Sequence, residues 1–320
     1  MKPWVLLADR TAVLFLGVAA GAAIGFSFAY GGQPWPEAQP VEKVADAGEA
    51  APLPAVPAAP PAAVTPMPQV AGVECAMPFQ QQLLDTLAEG GKVRVGVFGD
   101  SFGDGLWSAL YRQLPASANF QVVKYSQQST GFTRYASLNI ENHTAEQLAA
   151  DGPVDIAVIS FGANDTQGVM AGGKAAALLT PEWKRVIGER IDGLVRLLRS
   201  RGAMVYWVGL PKMRKESFDA DISAMNAFYA DRMRMLGVPF IDTVPFSVDA
   251  GGAYAPYLPD GPEGKRTLIR ANDGIHMSMT GYVRITRSLA DRIRGYVEAA
   301  RSFAAQGDGA AQPQRQARAS

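Results

Sequence analysis

The sequence predicts an α/β domain in which a parallel sheet is covered by helices on both faces, and three observations lead there. Apolar runs of strand length alternate with longer amphipathic stretches along residues 74–304. These runs are apolar almost throughout, not only at every second position, as expected of strands buried on both faces. About 230 residues is also a reasonable size for one such domain.

The chain ahead of that domain reads differently. Residues 11–30 carry no charge, and twenty helical residues at ~1.5 Å each span the ~30 Å hydrocarbon core of a bilayer. On length a retained signal anchor is preferred to a cleaved signal, although Ser27-Phe28-Ala29 offers small residues to a signal peptidase. Lys2 and Arg10 precede the span, so the positive-inside rule holds residues 1–10 in the cytoplasm and exports the rest across the inner membrane. Gly17, Gly21 and Gly25 recur every fourth residue, a spacing that permits weak helix pairing in the membrane. Residues 31–73 are rich in Pro and Ala with few large apolar side chains. Such a segment buries too little surface to offset its ordering entropy and is expected to act as a tether. The tail, residues 305–320, is expected to be frayed or disordered.

Within the domain, buried strands are expected at residues 93–98, 120–125, 156–161, 205–210 and 240–242. Helices are expected at 103–114, 181–201, 219–236 and 280–301. The 247–272 connection is long and contains Gly251-Gly252, Tyr254, Tyr257 and Pro259-Asp260-Gly261-Pro262. Residues 254–258 and 267–270 are expected to pair as a small hairpin, and the loop either walls a site or runs over the surface.

Composition removes several function classes. The formal net charge is +0 at pH 7, so nothing steers the chain towards a polyanion and no nucleic-acid partner is expected. Cys75 is the only cysteine, which excludes an intrachain disulfide and argues against a zinc-thiolate site. No metal or cofactor is expected.

Three segments carry chemistry. Gly99-Asp100-Ser101 follows the first strand and opens a helix, where backbone amides favour negative charge developing near the Ser101 hydroxyl. Gly162-Ala163-Asn164-Asp165 follows the third strand in the same sense, so Ser101 and Asn164 emerge on one rim of a parallel sheet, where ligands bind. Asp165 is expected to support Asn164. Gly131, in the loop after the second strand, has no side chain to obstruct an amide approaching the same point. Asp273-Gly274-Ile275-His276 brings a carboxylate to an imidazole across a turn. The chain has two histidines; His143 lies in a polar stretch expected to be a solvated loop, which leaves His276 as the base. A serine with a base and an orienting carboxylate forms the nucleophilic arrangement of many hydrolases.

Taken singly, these segments have plainer readings. Gly99-Asp100-Ser101 is an ordinary turn into a helix, and Asn164 is a suitable loop cap. Residues 99–103 also fit a Gly-x-Ser-x-Gly elbow, but that nucleophile normally follows several strands, and here only a tether precedes the first. A phosphate cradle at the same turn lacks the Gly-Lys-Ser/Thr ending of a P-loop.

In combination, Ser101, Gly131, Asn164 and His276, with Asp273 three residues before the histidine, resemble the SGNH hydrolases, also called GDSL esterases. Gly99-Asp100-Ser101-Phe102 is similar to the first block of that superfamily, with Phe102 in place of a leucine. Gly162-Ala163-Asn164-Asp165 is similar to its third block, and residues 273–276 followed by Thr280-Gly281-Tyr282 to its last. Ser129-Thr130-Gly131 departs most from the second block. Gly209-Leu210-Pro211 with Arg214 resembles a bacterial envelope-associated branch. The resemblance implies a flavodoxin-like three-layer fold and a serine esterase or O-acyltransferase. It also implies Ser101, His276 and Asp273 as the catalytic residues and an oxyanion hole of the Ser101 and Gly131 amides and the Asn164 side chain, with Asp100 and Asp165 in support. An acylated envelope glycan or small ester is the expected substrate, and a glycan-binding pseudoenzyme is the non-catalytic alternative.

Overall fold

Alternation along each strand decides which helices cover which face of the sheet. The computed structural model describes residues 79–316, with side chains to residue 306. In β1 (Val93–Gly99), Val93, Val95 and Val97 enter one core and Phe98 the other. The same division separates Ile156 and Val158 from Ala157 and Ile159 in β3 (Ile156–Ser160), and Met204, Tyr206 and Val208 from Val205 and Trp207 in β6 (Met204–Val208). Successive side chains on a strand point to opposite faces, so both faces are apolar and both must be covered.

The sheet order is β2-β1-β3-β6-β7, with β2 at Phe120–Lys124 and β7 at Phe240–Ile241, and every pairing is parallel. One face is covered by α1 (Gln81–Ala88), α2 (Ser101–Gln113) and α6 (Met279–Gln316). On α2, Phe102, Leu106, Ala109 and Leu110 are fully buried, the spacing of one helical stripe, and each large side chain contributes roughly 1.5–3 kcal/mol by leaving water. The other face is covered by α3 (Ile140–Asp151) and α4 (Pro181–Ser200), with much of α5 (Glu216–Leu236). Chain order reverses direction in the sheet between β1 and β3, and the connections leaving their carboxyl ends diverge there, opening a crevice.

Several expectations need correction. His143 is not in a loop: it lies in α3, half-buried, and Asn139 caps that helix by accepting from the Asn142 amide at 3.0 Å. The stretch is too polar to show a strong apolar stripe, so the cap and Glu141 in the first turn were its only signals. Helix α1 and the hairpin of β4 (Val169–Ala171) with β5 (Lys174–Ala176) were also not anticipated. Helix α6 extends to Gln316. The strand expected at 205–210 ends at Val208.

The expected hairpin forms two to three residues out of the anticipated places, as β8 (Tyr257–Asp260) against β9 (Lys265–Leu268). Leu258 and Ile269 are buried in the core, and Arg284 of α6 donates to the Pro259 and Phe246 carbonyls, so this connection is docked, not a free excursion. The span expected at 11–30 with Gly17, Gly21 and Gly25, the tether at 31–73 and Cys75 all lie outside the described residues. Among the described residues no helix is long and apolar enough to cross a membrane.

Candidate active site

The first side chain of the site is fixed by a helix cap. Asp100 ends the turn out of β1 and accepts from the Phe102 amide at 2.8 Å, which places Ser101 as the first residue of α2. From there the Ser101 Oγ lies 2.8 Å from His276 Nε2, across 175 positions of sequence. His276 Nδ1 lies 2.7 Å from Asp273 Oδ2. An Nδ1 proton directed at the carboxylate leaves the Nε2 lone pair to accept from the serine hydroxyl.

The Asp273 to His276 turn is self-bracing. Asp273 Oδ1 accepts from the Ile275 amide at 2.8 Å and from the His276 amide at 2.9 Å, while Oδ2 serves the imidazole. Gly274 has φ of +78°, the left-handed region that a glycine enters without a side-chain penalty. Partial burial works against the Asp273 carboxylate, but the hydrogen bonds from His276 and from the Ile275 and His276 amides outweigh it and lower its pKa to about 2. It is therefore ionised at neutral pH, as an orienting carboxylate must be.

Phe102, which stands where the family block has a leucine, is fully buried. Its ring stacks near the His276 imidazole at 6.4 Å and meets Tyr282 edge-on at 5.1 Å, so it walls the base on its apolar side.

The remaining two segments are knitted together by carboxylates. Asn164 Nδ2 donates to the Thr130 carbonyl at 2.9 Å and to Asp100 Oδ2 at 3.2 Å, joining the loops that follow β3, β2 and β1. Asp165 is fully buried and accepts from the Phe132 amide at 3.0 Å, the Thr133 amide at 2.8 Å and the Thr133 hydroxyl at 2.7 Å. It thereby holds the turn that begins at Gly131. A Cβ on Gly131 would lie 2.5 Å from Asp165 Oδ1, so glycine is required here by close approach. Arg190 donates to the Phe132 carbonyl from the other side.

Burial is the main cause of a raised pKa at both Asp100 and Asp165, and hydrogen-bond donors around each carboxylate work against it. Asp100 is pushed up to about 7 by burial and by Asp165, against the Phe102 amide, His276 and Asn164. Asp165 is raised by burial against its Thr133 and Phe132 donors.

The candidate residues Ser101, Asp273, His276, Gly131, Asn164, Asp100 and Asp165 come together here, and His143 does not join them. His143 instead lines a small cavity beneath the site, with Gly99, Thr130 and Gln147. Three contributors were missed. Asp104 ties α2 to the end of β2 through Lys124 and to the loop after it through Ser126 and Gln128. Arg214 Nη2 donates to the Asp273 carbonyl at 3.0 Å, and Arg270 reaches the same turn from the interior. Only Arg214 carried any signal, its place after Gly209-Leu210-Pro211. Among the described residues no cluster of three His, Cys, Asp or Glu is arranged to hold a metal ion.

No curated protein matches the chain. Among solved structures, the chain is similar to an aryl esterase of M. smegmatis at 18% identity, over 63% of this chain and 99% of that one, with a TM-score of 0.45. It is similar to a carbohydrate acetylesterase, Est24, of Sinorhizobium meliloti at 16% identity, over 64% and 99%, with a TM-score of 0.45. A GDSL-like lipase of Bacteroides thetaiotaomicron is 15% identical over 71% and 94%, again with a TM-score of 0.45. The family described as "Protein of unknown function (DUF459)" matches residues 94–292, well over half of the chain. On that match the chain belongs to the DUF459 family, and its four sequence blocks assemble on one rim of a parallel sheet, as the resemblance to the SGNH hydrolases implies.

Proposed function

We propose that this chain is an exported serine esterase that removes acyl groups, acetyl foremost, from an envelope glycan or related ester. The observation that carries the reading is the continuous Ser101–His276–Asp273 relay, at 2.8 Å and 2.7 Å. His276 takes the Ser101 proton as the hydroxyl attacks the ester carbonyl, and Asp273 holds the tautomer and stabilises the imidazolium. The alcohol leaves with the proton from His276, and water attacks the acyl-serine to release the acid.

The oxyanion is received at the start of α2 by the Ser101 amide, with the Gly131 amide and Asn164 Nδ2 as further donors, each worth ~3 kcal/mol of barrier. Asn164 is engaged in the resting state, so it must release a partner. The 3.2 Å bond to Asp100 is longer than the 2.9 Å bond to Thr130 and is the weaker of the two. Export and a glycan substrate rest on the uncharged span at 11–30 and its flanking Lys2 and Arg10.

The test is intact-mass analysis of the exported domain with acetylated glycan oligosaccharides, with and without an acceptor sugar. Acetyl trapped on Ser101 and released as acetate is the expected result. Transfer to the acceptor instead would make the same site an O-acyltransferase. Absence of any Ser101 adduct, including with a fluorophosphonate probe, would overturn the catalytic reading in favour of a binding module.

A further inference from the structure

Arg270 is one of the largest fully buried side chains among the described residues, and no carboxylate lies within ion-pair distance of its guanidinium. The residue is 1% exposed, and a guanidinium stays protonated at any ordinary pH. Buried charges are normally paired, because the desolvation cost is otherwise unrecovered. Among the described residues Arg270 makes no ion pair. Its Nη2 donates instead to the Ile275 carbonyl at 3.1 Å and the Gly274 carbonyl at 3.3 Å. Nη1 lies 2.9 Å from Met277 Sδ, Nη2 lies 4.0 Å from Met213 Sδ, and Nε has no partner. The guanidinium carbon sits 4.9 Å from the centre of the Tyr254 ring.

The two carbonyls belong to the peptides between Asp273 and His276. Arg270 also pairs with Met277 in an isolated bridge, and the Ala271 amide donates to the His276 carbonyl at 3.0 Å, so residues 270–277 form a closed loop with the guanidinium inside it. Arg214 grips the loop from outside, its amide donating to the Gly274 carbonyl at 3.0 Å and its side chain to the Asp273 carbonyl at 3.0 Å. A side chain that merely filled this volume would be apolar, since replacing a buried charge with a hydrophobe of similar size is often neutral or stabilising.

We infer that Arg270 is a positioning residue: its buried guanidinium fixes the Gly274 and Ile275 peptides so that Asp273 and His276 meet each other and Ser101. This rests on the esterase reading of the same site. Without the donor, the Ile275 carbonyl loses its hold, and the peptide between the carboxylate and the imidazole is held only by its amide, which donates to Asp273 Oδ1 at 2.9 Å. A displacement near 1 Å at such a site typically costs ~100-fold in rate.

The test compares Arg270→Met, which fills the volume without donors, with Arg270→Lys, which keeps the charge but lacks the two-pronged donor. The first readout is the downfield proton resonance of the His276 Nδ1–H bonded to Asp273, assigned by its absence in His276→Gln. It needs no substrate. The second is turnover of 4-nitrophenyl acetate. Arg270→Met is expected to remain folded, to lose or broaden the resonance, and to lower kcat by ~100-fold with KM changed less than about twofold. Arg270→Lys is expected to keep part of the resonance and to lose ~10-fold in kcat. A folded Arg270→Met with the wild-type resonance and kcat overturns the inference. Should that variant not fold, Arg270→Lys with wild-type resonance and kcat overturns it instead. If the wild-type chain shows the resonance but no ester turnover, the esterase reading fails, while loss of the resonance in Arg270→Met still upholds the positioning role.

Discussion

Asn164 Nδ2 donates to Asp100 Oδ2 across 3.2 Å, and through that bond the loop after β3 is tied to the helix cap that sets Ser101. The acceptor is a fully buried carboxylate, held in place by one backbone amide and one side-chain amide. The same hydrogen bonds that arrange the nucleophile therefore also place an ionisable group where ionisation is costly.

This makes stability depend on pH in a definite direction. Burial pushes Asp100 up to about 7 in the folded state, well above the ordinary carboxylate range, so the folded state holds a proton that the unfolded state gives up. Its contribution is fully present below the unfolded pKa and is lost as pH rises through about 7. Asp165, also raised by burial, adds in the same sense. Urea midpoints of the wild type should fall between pH 4 and pH 8, and Asp100→Asn should lessen that fall by about 1–3 kcal/mol. Parallel curves for the two proteins would show that Asp100 is not the group responsible.

Ser101→Ala separates the nucleophile from its capping environment. The cap is supplied by Asp100, so the substitution should shift stability by less than about 1 kcal/mol. Acyl-ester turnover and fluorophosphonate labelling should both disappear. Residual turnover equal to the wild type would remove Ser101 from the mechanism.

The two histidines give an internal control. His276→Ala should abolish turnover, because its Nε2 is the group 2.8 Å from the Ser101 hydroxyl. His143→Ala should leave kcat and KM unchanged, since His143 lies in α3 and makes none of the hydrogen bonds that join the four segments. Steady-state kinetics on a chromogenic ester are sufficient to tell them apart.

What was legible in the sequence follows from how local the cause is. The runs around Val95, Val158 and Tyr206 read as buried strands because burial on both faces leaves no polar position to confuse the pattern. The Asp273–His276 turn read clearly because its carboxylate, its glycine and its base are all within four residues. The α3 helix did not, since its polar faces conceal the period and only its cap marks it. Arg270 was silent for a different reason: an arginine near a motif is unremarkable until the loop closes around it and leaves it 1% exposed. The Asn164–Asp100 bond spans 64 positions, and only the assembled sheet edge brings its ends together.

Gly131→Ala tests Ser129-Thr130-Gly131, the segment that departs most from the family's block, by sterics alone. The new methyl would lie 2.5 Å from Asp165 Oδ1, and Asp165 cannot retreat without breaking its bonds to Phe132 and Thr133. Overpacking of this kind costs about 1–3 kcal/mol, and the shifted amide should lower kcat as well. A variant with wild-type melting and rate would mean that the turn relaxes freely and that Asp165 does not fix it.

Asn164→Ala addresses the residue with two roles at once. A pure oxyanion donor would leave stability untouched, but Asn164 also satisfies the Thr130 carbonyl and the Asp100 carboxylate in the resting state. Removing it should therefore cost about 1–3 kcal/mol of stability, the penalty of buried acceptors left unpaired. It should also lower kcat by ~100-fold or more with KM little changed, because a donor to the oxyanion acts chiefly in the transition state. Measuring both in the same preparation separates the roles, since kcat is taken on the folded fraction and the denaturation midpoint is not. A variant that melts early yet turns over normally once folded would make Asn164 a tie between loops and leave the oxyanion to the Ser101 and Gly131 amides.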